Sequence, residues 1–210
     1  MKRIQEPTLE ELITIVEKAT KLKFPENVRS DIKCEYVAPK EFSKHSLEAI
    51  EYGFNKKLSE NEAMSIKLGD IFSLMLASPK NNTIYVNETN TKRIIPPYDK
   101  QYDSINNILK SHELGHILLF NKYEKYFDIL RDYTKELNGL KPFIEIDELF
   151  ADYVMIKTIE MLKPDEEAIS FIKNILNKFY SPQGWYENPL MSSKDAYGDT
   201  IKKFEDLGSK

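Results

Sequence analysis

Two histidines and a glutamate fall within five residues, His112-Glu113-Leu114-Gly115-His116, and no other stretch of the chain is better arranged to do chemistry. On a helix, positions i and i+4 share a face, close enough for two imidazoles to hold a single ion. Neutral imidazole suits zinc, and two of them leave room for a third protein ligand and a water. Glu113, beside that face, is placed to act as general base toward a water polarised by the ion. The chain has only 3 His, so most of its imidazole is committed to this one turn. The third, His45, reads as a surface or internally satisfied histidine. The bland alternative for the pair itself is a helix with two solvated or core-satisfied histidines.

A catalytic zinc needs one more protein ligand, and the downstream acids point to Glu148 in Ile146-Asp147-Glu148-Leu149-Phe150-Ala151-Asp152. That segment, continuing to Ile156, predicts a second buried helix. Glu148, Ala151, Asp152 and Met155 share a face at i, i+3, i+4 and i+7. An acidic pair on a buried face is costly unless it is paired or binds metal. Gly115, inside the first helix, costs about 1 kcal/mol relative to Ala, so a close approach by another backbone or by substrate is expected there. Packing Ala151 against Gly115 gives both small residues one cause. Asp152 would then sit one turn past Glu148, able to accept the N–H of a ligating imidazole and fix its tautomer. Asp147 and Glu145 rank behind Glu148 as ligands, because neither has a small residue at that spacing. A solvated helix edge is the competing reading.

HELGH followed by Glu148-Leu149-Phe150-Ala151-Asp152, an ExxAD arrangement, resembles the gluzincin zinc metallopeptidases. Its motif is most similar to the group that includes the CAAX prenyl protease and HtpX-like enzymes. The resemblance implies Zn2+ held by His112, His116 and Glu148, Glu113 as general base, and Asp152 as the carboxylate behind a ligand. The small ImmA/IrrE-type peptidases, which cleave transcriptional repressors, are a related resemblance. Setting their Phe-Ala on Phe150-Ala151 places Ile146 at the ligand position, so the gluzincin register is preferred. Members of the first group often carry His-Pro and then Arg downstream of the ligand helix. This chain has Asn188-Pro189 with Lys194 there, which replaces both groups.

The flanking elements must position these side chains. Ile105, Ile108, Leu109, Ile117, Leu118 and Phe120 recur at helical spacing, predicting a motif helix from Ser104 to about Phe120 with one buried face. Thr8-Leu9-Glu10-Glu11 is a capping box that opens a helix to about Lys23, with Leu12, Ile13, Val16 and Ala19 inward. Ile32 to Val37 alternates as a strand, and Pro39 to Tyr52 reads as a helix. Ile71 to Ala77 and Thr83 to Val86 read as strands joined by Ser78-Pro79-Lys80-Asn81-Asn82. Asp165 to Tyr180 predicts an amphipathic helix, and a closing helix is expected near 199–207. By the resemblance, Thr83, Ile84, Tyr85 and Val86 form an edge strand that pairs with extended substrate; an ordinary interior strand is the rival. Tyr186 and Tyr197 are candidates to steady a developing oxyanion.

Composition bounds the rest. The chain has 210 residues and 24.6 kDa, consistent with one domain over 1–210. Residues 1–100 would carry N-terminal helices and sheet, and 101–210 a mainly helical part with the zinc ligands. Hydrophobic content of 41% supports a real core, and 30% charged residues of both signs indicate a soluble globular protein. A net charge of -4 leaves no basic stripe for nucleic acid. A lone Cys34, with neither a leader nor a transmembrane run visible, gives a cytoplasmic expectation with no membrane partner. The expected fold is α+β and zincin-like, with the active-site and ligand helices packed beside a small, mostly antiparallel sheet and additional helices. The expected activity is hydrolysis of a peptide or protein substrate. Its rivals are a catalytically weak zinc-binding regulatory or interaction protein, zinc as a structural staple, and a repressor-cleaving peptidase of a mobile element.

Overall fold

The structure is a computed structural model and describes residues 7–71, 73–95, 101–122 and 141–180. Helix α1, Leu9–Thr20, opens on the expected capping box, in which Glu11 N–H donates to the Thr8 hydroxyl and Thr8 N–H to the Glu11 carboxylate. Leu12, Ile13 and Val16 are buried, but so is Glu17, while Ala19 is only half-buried. Glu17 is satisfied by the Phe24 N–H at 3.1 Å and by Arg29 and Lys23, which bring the short helix α2, Glu26–Arg29, back against α1. Strand β1, Lys33–Val37, follows, then α3, Pro39–Phe54, and α4, Glu60–Asp70.

Three strands form one sheet in the order β1-β3-β2, with β2 at Met75–Ser78 and β3 at Thr83–Asn87. The sheet is mixed rather than mostly antiparallel, since β1 runs parallel to β3 and β2 antiparallel to it. Every residue of β3 is buried, because β3 is central and covered on both faces. Ile84 and Val86 face the main core, whereas Tyr85 joins Val37 and Phe42 under α3. His45 of α3 stacks flat on Tyr85, ring centroids 3.8 Å apart, with Glu48 at 3.7 Å and Glu41 at 4.0 Å. It is a packed residue flanked by two acids on its own helix.

After β3 come α5, Glu88–Ile94, then α6, Tyr102–Lys122, α7, Lys141–Leu162, and α8, Glu166–Tyr180. The main core joins Leu12, Val16, Ile84, Leu114, Ile117, Phe150 and Val154, so α6 lies between the sheet and the pair α1 and α7. A second cluster of Leu74, Ile95, Ile105, Ile108, Met155, Ala168 and Ile172 closes the other end of α6. The α+β class is therefore as expected. No helix among the described residues is long and apolar enough to cross a membrane.

Candidate metal centre

Gly115 sets the distance between the two helices that carry the acids and the histidines. A Cβ built on it would lie 2.6 Å from the Ala151 Cα and 3.3 Å from both its Cβ and carbonyl oxygen. Only glycine allows that approach, and it brings one turn of α7 against one turn of α6. Glu148 and Asp152 flank Ala151, and His112 and His116 flank Gly115, so four functional side chains meet at this crossing.

The structure brings His112, His116 and Glu148 together, with one ligand atom from each within 4.8 Å of the others. The two Nε2 atoms are 3.2 Å apart, and the Glu148 carboxylate lies 3.3 Å from the first and 4.0 Å from the second. Ligands on bonds of 2.0–2.1 Å to a tetrahedral ion stand about 3.3 Å from one another. Two nitrogens and one carboxylate at this spacing fit a divalent transition metal. Two imidazolium N–H groups pointed at each other would instead repel.

Each imidazole has a carboxylate beside its remaining nitrogen. His112 Nδ1 lies 3.0 Å from Asp152 Oδ1, and Asp152 is fully buried. His116 Nδ1 lies 2.8 Å from Asp147 Oδ1. In the sequence Asp147 ranks only as a lesser rival ligand, and no spacing there marks its position behind His116. The signal was available in principle: two ligating imidazoles need two acceptors, and Asp152 can serve only one. We expect Asp147→Asn and Asp152→Asn each to weaken metal binding about 10–100-fold, read by competition with a chromophoric chelator. Loss of binding on Glu148→Ala but not on these variants would separate ligand from support.

Burial alone would depress both histidines, yet both titrate high. Hydrogen bonds to Asp152 and Glu148 hold His112 well above its ordinary value. The Asp147 charge and hydrogen bond, with Glu148, push His116 up to about 9. Metal must displace those protons. At pH 7 calorimetry in buffers of different ionisation enthalpy should therefore find at least one proton released per ion, and affinity should climb as pH rises toward about 9. The sign for the metal-free protein is opposite. Its raised histidines contribute stability fully below about pH 6.5, and that contribution fades as pH rises through about 9.

Glu113 is buried, and that burial raises its carboxyl, opposed by the charges of His112 and His116. The Ala77 backbone amide also acts on this carboxylate. Ala77 lies on β2, and the sheet register explains its availability. Asn87 N–H donates to Leu74 C=O, and Met75 is paired with Val86, Leu76 with Tyr85 and Ser78 with Thr83. In an antiparallel ladder hydrogen-bonded pairs alternate, so Leu76 and Ser78 bond to β3 while Met75 and Ala77 turn their N–H and C=O outward. The free edge beside Glu113 is thus β2. The expected edge strand, Thr83 to Val86, is the central strand, hydrogen-bonded on both sides, and offers a peptide no open backbone. The rival reading, an interior strand, therefore holds; a strand buried on both faces looks the same in sequence wherever it sits in the order.

Tyr186 and Tyr197 lie outside the described residues, as do Asn188, Pro189 and Lys194. No protein-family model matches this chain, no curated protein matches it, and no solved structure matches it.

Proposed function

We propose that this protein is a zinc metallopeptidase of gluzincin type, with His112, His116 and Glu148 as ligands and Glu113 as general base. One observation carries the reading. Two imidazole nitrogens 3.2 Å apart face one carboxylate at 3.3 and 4.0 Å, close enough to share an ion, both imidazoles are backed by carboxylates, and a buried fourth carboxylate adjoins them without being a ligand. A structural zinc would call for a fourth protein ligand, and the cluster among the described residues has three.

Zinc, when bound here, polarises a water and the scissile carbonyl. Glu113 accepts a proton as the water oxygen attacks the carbonyl carbon, then returns it to the amine nitrogen as the C–N bond breaks. Burial favours this role, since a raised carboxyl is a stronger base than an exposed one. Asp147 and Asp152 keep Nε2 of each imidazole free for the ion. The substrate is read as an extended peptide added to β2, its backbone meeting the outward groups of Met75 and the Ala77 carbonyl. Cytoplasmic residence accords with the lone Cys34.

The test is metal stoichiometry joined to turnover. Purified protein should hold one zinc per chain, lose it on Glu148→Ala, and cleave members of a peptide library in a way that a chelator stops and zinc restores. Zinc retained in full by Glu148→Ala would overturn the ligand set. Replacement of the family's His-Pro and Arg by Asn188-Pro189 and Lys194 favours a second reading, a zinc-binding regulatory protein without turnover. That reading requires bound peptide but no cleavage products.

A further inference from the structure

Helix α4 carries an apolar stripe that the catalytic reading does not use. Met64, Leu68 and Ile71 are exposed by 59%, 58% and 52%, at spacing i, i+4 and i+7, so they line one face and its C-terminal end. Large side chains left this open beside one another mark a contact surface more often than isolated ones do. Glu60 and Lys67 give the stripe a polar border of both signs.

The stripe leads directly into the free edge of β2. Ile71 precedes Met75 by four residues, a span of at most ~14 Å. That junction is held firmly. The Asn90 side-chain amide donates to the carbonyls of Asp70 at 3.3 Å, Ile71 at 2.9 Å and Ser73 at 3.0 Å, and the Thr91 hydroxyl donates to Leu74. Asp70, the last residue of α4, is itself buried. The C-terminal end of the stripe and the start of β2 are therefore tied to the same two side chains of α5.

We propose that Met64, Leu68 and Ile71 form an exosite for apolar side chains of the same polypeptide whose backbone adds to β2. The proposal rests on the metallopeptidase reading and deepens it, because it names the substrate class as extended chains with apolar residues several positions from the scissile bond. Two features select this occupant over a second copy of the chain. A stable dimer buries about 800 Å² per partner with some 20–30 residues a side, which three side chains do not approach. The stripe also continues an open strand edge, which only an extended chain can use along its length. A chain lying antiparallel to β2 would carry its C-terminal side past Met75 toward Ile71.

The experiment compares fluorogenic peptides that end two residues beyond the scissile bond with peptides extended by eight more residues containing Leu and Phe. Leu68→Glu and Met64→Glu change exposed helical positions, and far-UV circular dichroism with zinc stoichiometry checks that the fold and metal are kept. Both variants should raise KM for the extended peptides about tenfold, from the lost burial of one large apolar side chain. Turnover of extended peptides should stay within about twofold, and short peptides should be unaffected. Equal effects on both peptide lengths, or on neither, overturn the exosite. So does a wild-type dimer that Leu68→Glu dissociates, or vesicle binding lost on Leu68→Glu while extended peptides are unchanged. If the zinc-loaded wild type cleaves no peptide, fluorescence anisotropy of the labelled extended peptide still decides. Weaker binding to Leu68→Glu then upholds the exosite while the peptidase reading fails, and unchanged binding overturns it.

Discussion

Glu113→Gln is expected to cut peptide hydrolysis by about 10²–10⁴-fold while leaving one zinc per chain, because it removes only the group that shuttles the proton. Glutamine keeps the shape of the side chain but cannot accept a proton from water. Its amide can still meet the Ala77 N–H through its oxygen, so β2 should stay in place. Burial raises the carboxyl of Glu113, so the variant also removes a buried titratable group. Thermal stability is therefore expected to hold or rise slightly, since a neutral amide costs less to bury than a carboxylate. The measurement is single-turnover cleavage with zinc quantified on the same sample. Unchanged cleavage by a fully zinc-loaded variant would remove Glu113 from the chemistry, and loss of zinc together with activity would make it a structural support.

Gly115→Ala should be the most damaging one-methyl change in the described chain. The added Cβ meets the Ala151 Cα at 2.6 Å, and a backbone atom in the middle of a helix cannot swing aside as a side-chain tip would. Alanine offers about 1 kcal/mol of helix propensity over glycine. Overpacking a fitted contact costs about 1–3 kcal/mol, and here it falls between two backbones, at the upper end. The net loss should lower Tm by several degrees for a chain of this size, at about 2–4 °C per kcal/mol. Zinc affinity should fall further than stability, because Glu148 and Asp152 ride on the turn that must move. Ala151→Gly in the same chain should not rescue it, since the nearest atom is Cα rather than Cβ. A Tm raised by Gly115→Ala with zinc affinity intact would show that the helices do not meet there.

Much of the centre was legible because its signals are local. Residues i and i+4 on one helix must share a face, so His112 and His116 were bound to converge wherever α6 lay. The same periodicity put Glu148, Ala151 and Asp152 on one line of α7, and an interior glycine signalled a close neighbour. Asp147 escaped because its role depends on the crossing of α6 and α7. Its own helix places it about a quarter-turn from Glu148, with no small residue to mark it. Helix α4 carries a local signal of its own, since Ser59 and Glu62 form a capping box as clear as that of α1.

From sequence alone came the shared face of His112 and His116, the buried helix bearing Glu148 and Asp152, the need for a tight contact at Gly115 and the mixed α and β composition, all consequences of spacing along one chain. Tertiary structure decided which strand is open, which carboxylate backs which imidazole, and that the Ala77 amide meets Glu113. Those outcomes depend on strand order and helix crossing. They are set by how buried faces from distant segments pack together, and residue periodicity within a segment carries no record of its neighbour.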